Sequence, residues 1–140
     1  MRILEHGQGQ ERTLLFFPCT AEPVWAFEAT IALLAQRWHV FQVVFDGHQP
    51  EYPGDFTSVE QTVDEVTEYL KSHGVDRLDA AYGCSLGGAC LTRFLALGEV
   101  SAGPSSTAGS RLISFRICCE DCVWPWMCCP SKSWPTAARF

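Results

Sequence analysis

No apolar run in this 140-residue chain approaches the ~20 residues that a membrane-spanning helix needs. The opening MRILEHGQGQERTLLFF puts charges and glutamines where a secretory leader needs its apolar segment, so the expected compartment is the cytoplasm, with no membrane partner. Bases are scarce as well: 10 Lys and Arg stand against 16 Asp and Glu. A chain of net charge −6 has no basic stripe to follow a phosphate backbone, which argues against nucleic acid as a main partner. Neither G-x-G-x-x-G nor a P-loop occurs, and no cofactor is implied. The scarcity with the largest chemical consequence concerns histidine. All four, His6, His39, His48 and His73, lie in the first 73 residues.

Cysteine is plentiful but unevenly placed. Residues 1–100 hold three cysteines, 14 acids and 6 bases (net −8), whereas residues 101–140 hold five cysteines, two acids and four bases (net +2). Nothing directs the chain out of a reducing compartment, so a disulfide framework is not expected from the number alone. The first part alternates apolar runs with helical periods, and the second is rich in Ser, Pro, Trp and paired Cys with neither period. A boundary is expected near Val100.

In the first part, TLLFF (13–17) and VFQVVF (40–45) are continuous apolar runs, as strands show when both faces of a sheet are covered. Between them Phe27, Ile31, Leu34 and Trp38 recur at helical spacing, with Pro23 in the first turn. Ser58 with Gln61 offers a capping box for a helix whose apolar stripe is Val59, Val63, Val66 and Leu70, and Gly74 stops it. RLDAAY (77–82) reads as a third strand and residues 86–97 as a third helix. Strand and helix alternating three times predict an α/β fold with a mainly parallel sheet and flanking helices.

The junction of the third strand and third helix is Gly83-Cys84-Ser85-Leu86-Gly87, a G-x-S-x-G pattern. Glycines two residues either side let backbones approach a strained turn, and the helix that follows aims its free N–H groups and dipole at charge developing beside Ser85. Gly88 and Ala89 are expected to keep that helix close to the sheet. The other reading of the pattern is a Gly-rich turn whose serine caps the helix. The position of the motif, after a strand and before a helix in a parallel series, favours a nucleophile. Cys84, in the middle position before the serine, is expected to pack away from the cleft.

Here residues 1–100 resemble the α/β-hydrolase family, with Ser85 at the nucleophile-elbow position. LLFFPCTAEPVWAFEATIALLAQRWHVFQVVFDGHQPE is similar to the family's first strand-loop-helix-strand unit, with Pro18-Cys19 where a His-Gly pair is usual and Asp46-Gly47-His48 kept. The resemblance implies a partial α/β-hydrolase fold with an irregular C-terminal tail. It also implies an oxyanion hole made by the backbone N–H of Leu86 and a second N–H at Cys19 or Thr20. Cys19 reads equally as a small buried apolar residue, and His48 as a residue near the mouth of the site or a solvated loop histidine. The implied reaction is esterase-like acyl hydrolysis of a small-molecule, ester-like substrate, of otherwise unspecified structure.

A serine needs a base, and in this family the partners follow it in the order acid, then histidine. No histidine follows Ser85, and Glu120 and Asp121 are the only acids beyond Glu99. The expectation is a truncated, catalytically disabled hydrolase, with a non-catalytic fragment or interaction protein as the alternative. Within the tail, Cys118, Cys119, Cys122, Cys128 and Cys129 suggest a thiolate metal or thiol-chemistry site, though the spacing is short for paired zinc ligands. A shifted reading frame is the preferred account: AGPSSTAGSRLI (102–113) admits RAIIDGGITPY in the other frame, which has the strand-then-loop form the fold calls for next. A tail that cannot supply a strand would leave the edge of RLDAAY unpaired and the product marginal or insoluble.

Overall fold

Apolar runs that must be covered on both sides set the architecture. The computed structural model describes residues 1–98 and 112–116. Five strands form one sheet: β1 (Arg2–His6), β2 (Thr13–Phe17), β3 (His39–Val44), β4 (Ala80–Cys84) and β5 (Leu112–Arg116). Their spatial order is β1-β3-β2-β4-β5. β1 runs antiparallel to β3, and the other pairings are parallel. Parallel neighbours need crossovers. A 3-10 turn (Val24–Phe27) with α1 (Glu28–Leu34) joins β2 to β3, α2 (Val59–Ser72) joins β3 to β4, and α3 (Leu86–Leu97) follows β4.

Side-chain alternation along the strands divides the core in two. Leu15, Phe17, Phe41, Val43 and Ala81 pack with Val63, Val66 and Leu70 of α2 and with Cys90, Leu91 and Phe94 of α3. On the other face Leu14, Phe16, Val40 and Ala80 pack with Ile31 of α1. Each large apolar side chain buried this way contributes about 1.5–3 kcal/mol against leaving it in water.

Polar contacts fix the strand starts. Asp79 accepts the Thr13 N–H at 3.0 Å, Asp79 N–H returns to the Thr13 carbonyl at 3.1 Å, and Arg77 donates to the same carboxylate at 2.6 Å. The two parallel strands that flank the site, β2 and β4, are thereby held in register at their entry. At the sheet edge, Glu5 of β1 receives the Tyr69 hydroxyl of α2 at 2.6 Å and His39 Nε2–H of β3 at 2.7 Å.

Several elements differ from the sequence reading. β1 was not anticipated, because RILEH mixes charge with two apolar residues. The first crossover helix is shorter than its apolar period, which runs on to Trp38. It opens as a 3-10 turn after Pro23 and closes at Leu34. The α2 cap is half of a capping box: Ser58 Oγ accepts the Gln61 N–H at 3.1 Å, but the Gln61 side chain turns forward to Glu65 at 2.9 Å. Gly74 ends that helix in the left-handed region at φ +70°, with Val75 N–H reaching back to the Leu70 carbonyl at 2.9 Å. Beyond Val100, Leu112–Arg116 pairs in parallel with β4, Ala80 opposite Leu112 and Cys84 opposite Arg116. The edge of β4 is therefore covered there, and the hazard expected from an unpaired edge is removed along those residues. Cys118, Cys119, Cys122, Cys128, Cys129, Glu120 and Asp121 lie outside the described residues.

Candidate active site

β4 delivers Ser85 into the turn before α3 at φ +51°, a conformation L-residues rarely hold. Such a backbone persists only where its surroundings fix it. Two glycines do so. A Cβ on Gly83 would lie 2.5 Å from the Gly87 carbonyl oxygen and 2.9 Å from Leu91 Cβ. One on Gly87 would lie 2.4 Å from the Pro18 oxygen and 2.5 Å from the Phe17 oxygen. The turn is locked between α3 and the end of β2. Gly88 is less constrained, its added Cβ meeting nothing nearer than 3.7 Å. Ala89 is exposed, so the close approach of helix to sheet belongs to Gly87 rather than to the Gly88-Ala89 pair.

Ser85 is exposed and occupies the N-cap position of α3, but its side chain makes no capping hydrogen bond. Only its carbonyl enters the helix, accepting the Ala89 N–H at 3.1 Å. The reading of this serine as a helix cap is therefore not the one the geometry supports. The N–H groups of Leu86, Gly87 and Gly88, at the start of α3, have no acceptor within the helix.

The loop after β2 faces this turn. Pro18 is buried, Cys19 half-buried and Thr20 exposed. Ala21 sits at φ +55° and donates its N–H to His48 Nδ1 at 3.4 Å. Gln49, buried, accepts the Val24 N–H at 3.1 Å. His48 and Gln49 thus hold the loop that carries Cys19 and Thr20, and His48 is itself packed on Phe56 and edge-on to Phe45. Cys84 is buried, as its place in the turn requires. Burial, with Cys84 and Glu22 close by, pushes the Cys19 thiol well up from its ordinary value. Sequence reasoning missed Glu22, whose carboxylate has an oxygen, Oε2, that is buried and without a hydrogen-bond partner.

Each histidine is engaged away from Ser85. His6 bonds Gln42 at 3.0 Å, His39 bonds Glu5 at 2.7 Å, and His73 bonds the Tyr69 carbonyl at 2.8 Å while stacking on its ring. His48 holds Ala21. Among the described residues no three His, Cys, Asp or Glu side chains are grouped so as to hold a metal ion, and no helix is long and apolar enough to cross a membrane.

No protein-family profile and no curated protein matches the chain. Solved structures do. A protein assigned to the α/β-hydrolase family from Desulfitobacterium hafniense superposes with a TM-score of 0.63 at 25% identity over 71% of this chain. The chain carries part of the α/β-hydrolase fold. It spans 40% of that protein's length. A structure from Pseudomonas aeruginosa described as a hydrolytic enzyme gives 0.57 at 25% identity, covering 69% of this chain and 32% of its own. An esterase from a marine microorganism gives 0.60 at 17% identity, covering 71% and 37%.

Proposed function

We propose that this chain derives from a serine hydrolase of the α/β-hydrolase family that cleaves small ester-like acyl substrates, with Ser85 as nucleophile. The observation that carries the reading is the exposed, uncapped Ser85 hydroxyl in a left-handed backbone at the N-terminus of α3, gripped by Gly83 and Gly87. In the reaction, Ser85 Oγ attacks the acyl carbon. The carbonyl oxygen, becoming an anion, takes hydrogen bonds from the N–H of Leu86 and from that of Cys19 or Thr20. Loss of one such donor costs on the order of 10²–10³ in rate.

Attack also requires removal of the serine proton, and no histidine bonds Ser85 among the described residues. We therefore assign the chain as catalytically disabled, a truncated form whose acid and base belong to a frame it does not carry. The expected location is cytoplasmic. The boundary near Val100 and the tail as a product of a shifted frame are part of the same proposal. A non-catalytic role is the second reading, favoured by the pairing of β5 on β4, which extends the sheet past the serine strand whatever becomes of the catalytic partners.

Two measurements test this. Labelling of the full chain by a fluorophosphonate probe, with peptide mapping, should place no more probe on Ser85 than on the Ser85→Ala control. Rapid labelling of Ser85 would show an activating base in this chain and overturn the disabled assignment. Resequencing the coding DNA across codons 95 to 140 and onward should reveal a frame with a carboxylate and then a histidine. A frame that stands as given would end the hydrolase reading for this product and leave the non-catalytic one.

A further inference from the structure

The outer side of α1 has the wrong composition for water. From Val24 to Ala35 the only charged residue is Glu28. Ile31 is buried, and Phe27 and Leu34 pack with it against the sheet. Ala29, Ala32 and Leu33 share the opposite face at i, i+3 and i+4, and Trp25 and Ala26 continue it one turn earlier. All five are exposed, Trp25 by 74% and Leu33 by 68%. A helix that is apolar all round is ordinarily buried all round. A contiguous apolar patch marks a place where something docks.

The layers show which side is short of cover. α2 and α3 both lie on the side of Leu15 and Phe17, whereas among the described residues α1 is the only helix on the side of Leu14 and Phe16. Sheets of parallel strands are covered on both faces. β5 lies two strands from β2, about 10 Å away. Both run parallel to β4, so the chain leaves Arg116 at the end of the sheet where Phe17 leads into the 3-10 turn that bears Trp25. Residues 117–140 follow, with Trp124, Trp126, Met127, Trp134 and Phe140 among them. Their charges cancel, Glu120 and Asp121 against Lys132 and Arg139. A segment of that length reaches at most about 80 Å when extended, and α1 is only about 11 Å long.

We propose that residues 117–140 of the same chain dock on the outer face of α1, over Trp25, Ala29 and Leu33. A second copy of the chain fits this face less well. A large aromatic side chain offers about 150–250 Å², so Trp25 with Leu33 and three alanines stays well below the ~800 Å² per partner that a stable interface buries. A tethered segment needs less area, because its linker supplies an effective concentration on the order of millimolar and little translational freedom is lost. Burying neutral, apolar residues against an apolar face depends on composition, so the inference stands apart from the origin of the tail and from the role of Ser85.

The experiment replaces Leu33 in the full chain by the photo-cross-linker p-benzoyl-L-phenylalanine. The protein is irradiated at low concentration in reducing buffer, and its tryptic fragments are mapped. Position 33 lies in the fragment 13–37, and the tail yields 117–132 and 133–139. The expected product joins 13–37 to one of those tail fragments within a single chain. It is lost when the same photo-cross-linker stands instead at Glu68, which is exposed on α2 in the other layer. Both positions are exposed, so neither replacement disturbs the core. Links between two chains only, links only to fragments before residue 112, no link from position 33, or equal linking from positions 33 and 68 would overturn the proposal.

Discussion

Gly87→Ala and Gly88→Ala exchange the same hydrogen for the same methyl at adjacent positions of α3, and the structure predicts opposite signs. At Gly88 the new Cβ meets nothing nearer than the Gly83 oxygen at 3.7 Å, ordinary contact. What remains is the helix-propensity gain of alanine over glycine, about 0.5–1 kcal/mol. At Gly87 the same gain is opposed by contacts of 2.4 Å and 2.5 Å with the carbonyl oxygens of Pro18 and Phe17, which belong to backbone rather than to a side chain that can swing aside. Overpacking of this kind costs about 1–3 kcal/mol or more, and here it requires the end of β2 or the start of α3 to shift. The net expectation is a loss of about 2 kcal/mol for Gly87→Ala. For a domain of this size each kcal/mol moves Tm by roughly 4 °C, so Gly87→Ala should melt about 8 °C lower than the parent and Gly88→Ala about 2–4 °C higher. Urea titration followed by far-UV circular dichroism gives the free energies directly. A Gly87→Ala chain as stable as Gly88→Ala would refute the claim that this glycine sets the spacing between β2 and α3.

Asp79→Asn weakens the charge-assisted bonds to Thr13 and Arg77 and should cost about 1–2 kcal/mol near neutral pH. The Asp79 carboxyl is held below its ordinary value by those partners, which outweigh its burial. Its contribution is present above the unfolded pKa of about 3.9 and is lost as pH falls through the lower folded value, so the gap between parent and variant should close in acid. A gap that persists unchanged through that acid range would contradict the assignment. Tyr69 behaves in the opposite sense. Burial and the Glu5 carboxylate push its hydroxyl up to about 12, so its stabilisation is intact below about pH 10 and disappears as pH rises through the folded value. Tyr69→Phe should flatten alkaline denaturation between those limits, and unchanged alkaline melting curves would count against the Tyr69–Glu5 bond.

Legibility followed how local the cause of each element is. Thr13–Phe17 announced a buried strand because all of its Leu and Phe residues are covered, and α3 was legible over its full span, residues 86–97, following directly on the serine turn. The N-cap of α2 was legible in Ser58. The antiparallel edge strand was not, since Glu5 and His6 are placed by partners on β3 and α2 and Arg2 by the Tyr52 ring, rather than by a period of their own. Leu112–Arg116 sits in a stretch without periodicity, and its strand comes from the exposed edge of β4 that it pairs with. At the site, the serine turn was readable from glycine spacing. The packing of the loop after β2 against the serine turn was not, because it depends on two segments leaving adjacent strands side by side.

The left-handed backbone at Ser85 also bears on the history of the chain. Non-glycine residues in such conformations store roughly 1–3 kcal/mol, which a working nucleophile justifies through the rate it provides. Replacement by glycine would release that strain in a single substitution. On the disabled-enzyme reading nothing opposes the change, and random substitution should remove the serine sooner than it unravels the sheet. On the reading proposed above, a strained serine that outlives its base acts as a clock for the loss of catalysis.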